Sequence, residues 1–261
     1  DRTTTATLSG GSLSGVIAGD TVTLTQAGTF ALANVGTGIT VTANDSINNS
    51  NYTLTQPTGL SADITAKALT VTGTTVANKT YDRTTTATLS GGSLVGVIAG
   101  DTVTLTEAGT FASANAGAGI AVTASDSLGG SSANNYSLTQ PTGLTGTINK
   151  ANATVTANGG TVTYTGLVQS VNGFTASGLV NGETAAVLTG VSAGATGTNA
   201  GTYTSTASGT AANYNLTFVN GALTINKANA TVTANGGTVT YTGLAQSVSG
   251  FTATGLVNGE T

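Results

Sequence analysis

The chain has 261 residues, of which 38% are apolar and only 6% charged, with a formal net charge of −4. It contains neither cysteine nor histidine, which excludes disulfides, zinc sites built from those residues, and the Ser-His-Asp and Cys-His arrangements of nucleophilic catalysis. So few basic residues exclude the electrostatic footprint of a nucleic-acid binder and docking on anionic lipid, and no stretch approaches the ~18 apolar residues of a membrane span.

Disorder goes with low hydrophobicity and high net charge. Here the apolar residues alternate with threonine, which favours folded β-structure. The chain has no methionine, starts inside one repeat and stops inside another, so it reads as a piece of a longer protein.

In chain order, residues 1–66 open on Asp1-Arg2-Thr3-Thr4-Thr5 and carry the alternating strand Thr21-Val22-Thr23-Leu24-Thr25. Residues 67–149 repeat this unit, with Asp82-Arg83-Thr84-Thr85-Thr86 and the strand Thr102-Val103-Thr104-Leu105-Thr106; Asp20 and Asp45 return as Asp101 and Asp126. Gln140-Pro141-Thr142-Gly143 has Pro and Gly at the favoured places of a type I turn.

Residues 150–226 form a second repeat type. Asn158-Gly159-Gly160 and Val219-Asn220-Gly221 read as tight hairpin turns, because Asn and Gly accept positive φ. Period two puts Tyr214, Leu216 and Phe218 on one strand face. Gly178-Leu179-Val180-Asn181-Gly182-Glu183-Thr184 is the best helical candidate, at most one turn. Residues 227–261 restart this type with the same Asn235-Gly236-Gly237 turn, and 225–261 differ from 148–184 only at Val168/Ala245, Asn172/Ser249 and Ser177/Thr254.

Both repeat types open on Lys-Ala (Lys67, Lys150), pass through a Gly-Asp/Glu-Thr turn, and close on Asn-Tyr-x-Leu-Thr, at Asn135 and Asn213. They read as variants of one design, giving modules at 1–66 (lacking its first strands), 67–149, 150–226 and 227–261 (only its first half). A core of this size seldom supplies more than ~3–5 kcal/mol, so neighbours are expected to support each other. The linker-free junction Ile148-Asn149-Lys150-Ala151 points to a semi-rigid rod. The expected fold is all-β, a tandem array of small modules. Each is an immunoglobulin-like sandwich or a β-grasp-like sheet with at most one short helical turn. A parallel β-helix is the less favoured alternative, since identity recurs at module length and no ~20-residue rung is visible.

Residues 1–149 resemble the YDG domain of large bacterial surface proteins, often filamentous-haemagglutinin-like adhesins. The likeness rests on Lys79-Thr80-Tyr81-Asp82, Gly100-Asp101-Thr102 and Asn135-Tyr136-Ser137-Leu138-Thr139. Arg83 stands where glycine is typical, which speaks against a tight turn there. Residues 150–261 resemble the MBG domain of the same proteins through Thr163-Tyr164-Thr165-Gly166, Gly178 to Thr184, Gly201-Thr202-Tyr203 and Asn213-Tyr214. The resemblance implies a β-rich stalk or display module on a bacterial surface or in a secreted protein, and it transfers no catalytic or ligand-binding residue.

The residues themselves assign no catalytic, cofactor-binding or metal site. Asp20, Asp101 and Glu183 sit in glycine-bounded turns, where a carboxylate usually bonds local backbone N–H groups, and no Asp-x-Asp-x-Asp loop gathers oxygens for calcium. Tyr52, Tyr136 and Tyr214 recur at one strand position, which fits core packing with the hydroxyl at the rim better than sugar stacking. Lys150 reads as a solvated junction lysine rather than part of an isopeptide bond with Glu183. The expected function is non-enzymatic: an extracellular adhesin stalk whose host or surface ligand is bound by other parts of the parent protein, with no cofactor, no nucleic acid and no membrane insertion. The rival readings are multivalent glycan- or host-binding repeats, and a biofilm segment that self-associates through strand edges poor in charge.

Overall fold

The computed structural model describes residues 2–261; Asp1, at the head of the first Asp-Arg-Thr-Thr-Thr run, lies outside the described residues. Regular structure is almost entirely strand, as the alternation of Thr with Val, Ala and Leu predicts. The chain forms two compact units. One comprises Asp1–Ala77, Thr86–Ala112 and Ala121–Gly146; the other comprises Asn78–Thr85, Ser113–Ile120 and Thr147–Thr261.

In the first unit one strand arrangement occurs twice. Gly28–Phe30 pairs antiparallel with Thr5–Ala6 and with Gly36–Ala43, which in turn pairs with Leu60–Ile64. In the second occurrence Gly109–Phe111 pairs with Thr86–Ala87, and sets Gly109 opposite Ala124 and Phe111 opposite Val122. A side chain on Gly28 would crowd Leu8 and Val41 at 3.1 Å, and one on Gly109 would crowd Leu89 at 3.0 Å. The leucine fills the space that glycine leaves, in both copies.

The first unit also contains a mixed three-stranded sheet. Its centre is Lys67–Thr72, antiparallel to Ser93–Val95 and parallel to Tyr136–Thr139. Leu69 and Val71 alternate with exposed threonines along that strand, and Phe111 and Leu69 are the largest fully buried side chains of this unit. The strand expectations for 21–25 and 102–106 shorten to Leu24–Thr25 and Thr104–Thr106, which pair with Ser46–Ile47 and Ser127–Gly129.

The second unit repeats the mixed sheet around Ala151–Ala157, antiparallel to Phe174–Ser177 and parallel to Tyr214–Val219. The two repeat types thus share a design: the Lys-Ala strand lies in the centre, with the Asn-Tyr strand parallel beside it. A five-stranded sheet, in the order Gly160–Thr163, Gly221–Asn226, Gly201–Gly209, Val191–Gly197, Gln169–Asn172, forms the second layer. Ala151–Ala157 packs across onto Gly201–Gly209 and Gly221–Asn226. Ala151, Ala153, Val155 and Ala157 face Ser205, Ala207, Leu223 and Ile225 in a buried, small-residue core. The all-β class is as expected, and both sheets contain parallel pairs. No coil of rungs occurs among the described residues.

Two expectations are corrected here. Asn158-Gly159-Gly160 and Val219-Asn220-Gly221 do not make hairpins. Ala151–Ala157 already has a partner on each edge, so the chain beyond Asn158 crosses to the other sheet, where Gly160–Thr163 pairs in parallel with Gly221–Asn226. Glycine is needed at Gly221 for close approach rather than for φ, because a side chain there would strike the Ala157 and Asn158 carbonyls. Residues 178–184 are not helical. Val180 accepts from Glu183 N at 3.0 Å with Asn181 at φ 52° and Gly182 at φ 73°, which is a type I′ turn. The short helical turns are 3₁₀ turns at Ala133–Asn135 and Ala185–Val187, one in each complete repeat.

Candidate functional site

Several of the scarce charged residues gather at one recurring place. In the first unit the Ile98–Asp101 turn closes with Asp101 N donating to Ile98 O at 3.0 Å and Gly100 at φ 88°. The Asp101 carboxylate is 7% exposed and accepts from Tyr136 OH at 2.5 Å; Tyr136 OH in turn accepts from Ile98 N at 3.0 Å. Arg2 reaches this carboxylate with Nε at 3.1 Å and gives Nη1 to Ala99 O at 3.1 Å. Asn135, next to the tyrosine, accepts from Val35 N at 2.9 Å and donates to Asn34 Oδ1 at 3.1 Å. Arg2, Asn34 and Val35 belong to the first repeat; Asp101, Asn135 and Tyr136 belong to the second. The cluster is a lock between successive repeats.

The second unit contains the same lock with different residues. Glu183 is 9% exposed and accepts from Tyr214 OH and from Tyr81 OH, the latter at 2.8 Å; Tyr214 OH accepts from Val180 N at 3.0 Å. Arg83 approaches Glu183 with Nε at 3.4 Å and donates Nη1 to Asn181 O at 3.0 Å. Asn213 accepts from Ala116 N at 2.9 Å and donates to Asn115 Oδ1 at 3.1 Å, as Asn135 does with Val35 and Asn34. The Tyr81 and Tyr214 rings meet edge to face at 5.5 Å, a favourable aromatic geometry. A third version joins Tyr164 OH to Glu260 at 2.5 Å and Asn258 Nδ2 to Gly166 O at 3.1 Å.

These contacts correct two expectations. Asp101 and Glu183 do not bond local backbone N–H groups; their acceptors face a tyrosine and an arginine distant in sequence. The backbone role falls instead to Asp45 and Asp126, which accept from Ala27 N and Ala108 N at 3.0 Å each. The tight turn at Arg83 is kept despite the missing glycine. Arg83 has φ 65° and Arg2 φ 62°, where Gly166 of the other repeat type has φ 74°. A non-glycine residue in this left-handed region costs roughly 1–2 kcal/mol. The arginine tolerates that conformation because it carries its guanidinium to the next repeat's carboxylate.

The electrostatics follow from the packing. Burial, and next the hydrogen bond to Glu183, push the Tyr81 and Tyr214 phenols above their ordinary range. Burial and the Asp101 hydrogen bond do the same to Tyr136, while for Tyr164 the bond to Glu260 leads. Neutral phenols therefore donate to charged carboxylates, the strong form of such a bond. At Asp82 burial opposes ionisation, but bonds from Lys79 and Thr84 outweigh it and hold the carboxyl below its usual value.

Tyr136 and Tyr214 are buried with hydroxyls bonded at the rim, as expected; Tyr52 repeats the pattern half-buried, donating to Asp20 at 2.6 Å. Lys150 donates to Ala211 O at 2.8 Å and is not paired with Glu183. Cavities of about 310 Å³ lie beside the Asp101 and Glu260 locks. Among the described residues no group of three or more acidic side chains is placed to hold a metal ion, and no helix is long and apolar enough to cross a membrane. What sequence reasoning missed is the pairing of motifs. The available signal was that an acidic residue recurs at every Gly-Asp/Glu-Thr turn, while Tyr-x-Arg/Gly and Asn-Tyr recur in the same repeats.

The YDG domain matches residues 1–59 and 65–143, more than half of the chain, and the MBG domain of the YGX type matches residues 153–224. Tyr81-Asp82-Arg83 and Tyr164-Thr165-Gly166, the tips of the locks, lie within the matched residues of the first and the second domain respectively. No curated protein and no solved structure matches the chain significantly. The chain belongs to the YDG-domain family, with an MBG domain of the YGX type following its YDG repeats.

Proposed function

We propose that the chain is a non-enzymatic spacer of a bacterial surface or secreted adhesin, a stalk whose repeats are coupled so that the array resists bending. The observation that supports this reading is the lock itself: one tip, one acidic turn and one Asn-Tyr strand start, used again at successive repeats. Its carboxylates already accept from side chains of the same chain, so their chemistry serves cohesion. Short junctions add to the effect, because nearest-neighbour contacts stiffen stacked repeats. Small-angle X-ray scattering of the chain tests it. An elongated particle that becomes more flexible when Glu183 and Asp101 are replaced by alanine is expected; a compact globule, or an elongated one indifferent to the substitutions, refutes it. Binding of the chain to a glycan or host-matrix panel would favour the multivalent-binding reading instead.

A further inference from the structure

The two end segments of the complete repeat at 150–226 run side by side. Ala151–Ala157 pairs in parallel with Tyr214–Val219, from Ala151 opposite Tyr214 to Thr156 opposite Val219. Past the crossing to the other sheet, Gly160–Thr163 pairs in parallel with Gly221–Asn226, from Gly160 opposite Leu223 to Thr163 opposite Asn226. The offset in sequence is the same on both sides of the crossing, so the two segments change sheets together and keep one register. They come so close there that a side chain on Gly159 would stand 2.9 Å from the Ala222 carbonyl oxygen. Backbone bonds close the ladder at its ends, where Ala151 N donates to Asn213 O at 3.0 Å and Tyr164 N to Asn226 O at 2.8 Å. The preceding repeat also pairs its end segments in parallel, with Tyr136 opposite Lys67 and Ile148 opposite Lys79.

Neither end of the module can be peeled from a sheet edge. Ala151–Ala157 has Phe174–Ser177 on its other side, and Gly221–Asn226 has Gly201–Gly209. Ala151, Ala153, Val155, Ala157, Leu223 and Ile225 are buried, and a slip of one residue would turn them all outward. The parallel pairing then decides how tension acts. The chain enters the module at Ala151 and leaves it at Asn226, and these residues lie at opposite ends of the ladder. Tension along the chain therefore draws the two segments past each other and loads the evenly spaced bonds together. Were the segments antiparallel, entry and exit would lie at one end, and the bonds would break one after another.

We propose that this module is a mechanical clamp, which carries tension between its neighbours in shear and yields only when the parallel ladder fails as a whole. This load-bearing function goes beyond resistance to bending. The origin of the load, a tether at a surface, rests on the spacer reading; the clamp rests on the topology.

Single-molecule force spectroscopy of the full chain tests this. The chain has no cysteine, so introduced cysteines take the handles at chosen places. Lys150→Cys with Lys227→Cys pulls on opposite ends of the ladder, whereas Lys150→Cys with Ala212→Cys pulls on adjacent ends and unzips it. All three side chains are exposed, and the first substitution is common to both variants. At one pulling speed the 150/227 variant should yield at roughly twofold or more the force of the 150/212 variant, because the pairs share the load in one geometry and meet it singly in the other. It should do so in a single step that releases the whole segment at about 3.5 Å per residue. Equal forces, or a 150/227 variant that extends in small successive steps, overturn the clamp. The spacer reading is decided by scattering instead, so the two ideas fail separately.

Discussion

Replacing Tyr214 by phenylalanine isolates the chemistry of the lock from its packing. The ring stays, with its edge-to-face contact to Tyr81. The hydroxyl goes, and with it a bond to the Glu183 carboxylate and the acceptor for Val180 N. A hydrogen bond to a charged group contributes about 1.5–3 kcal/mol, and a donor left without its partner adds about 1 kcal/mol where water reaches it, as at the half-buried Val180. The expected loss is therefore about 2–4 kcal/mol, or roughly 10–20 °C in the melting temperature of a domain this small. Tyr52→Phe removes the same pair of bonds, to Asp20 and from Ile17 N. Asp20 is exposed, so solvent replaces the bond and the loss should be about 0.5–1 kcal/mol. Thermal unfolding followed by circular dichroism measures both. Equal losses at the two sites, or a Tyr214→Phe variant as stable as the parent, would refute the claim that burial gives the lock its strength.

At the tip, Arg83→Ala keeps the left-handed backbone and loses the half-exposed ion pair, whereas Arg83→Gly also relieves the backbone. The glycine variant should melt above the alanine one by about 1 kcal/mol, and the reverse order counts against the account of Arg83. Val155→Ala, in a fully buried position, should cost about 2–3 kcal/mol in urea unfolding. Ser205 is fully buried with no partner for its hydroxyl, so Ser205→Ala should stabilise by about 0.5–1 kcal/mol in the same assay. The lock tyrosines have folded pKa values raised above the unfolded value near 10. Their contribution is complete below about pH 10 and is lost as pH rises through the folded values, because the unfolded chain releases its phenolic protons first. Alkaline unfolding should therefore begin earlier in the parent than in Tyr214→Phe measured relative to its own neutral-pH stability; identical curves would contradict this.

Much of the architecture follows from local sequence. Alternation of small apolar residues with threonine dictates strands, and the shared order of Lys-Ala, Gly-Asp/Glu-Thr and Asn-Tyr identified two repeat types of one design, which the matching mixed sheets display. The family was legible for the same reason: short motifs in fixed order survive in the chain. The turns were less legible. Asn158-Gly159-Gly160 has the composition of a hairpin, but a turn residue's tolerance of positive φ does not say which sheet the next strand joins. That was decided by Ala151–Ala157 having both edges occupied. Helical composition at 178–184 likewise yielded to a type I′ turn that aims Glu183 at Tyr214.

The lock was the least visible element, since its parts lie about a hundred residues apart: Arg83 and Tyr81 in one repeat, Glu183 and Tyr214 in the next. Sequence by itself determined which segments extend, which positions carry charge, and that the pattern recurs. Only the tertiary structure decided which carboxylate meets which tyrosine, and that Ala151–Ala157 is paired on both edges and buried. Strand identity is a property of the residues; burial is a property of the neighbours, and those depend on what the rest of the chain places on each edge.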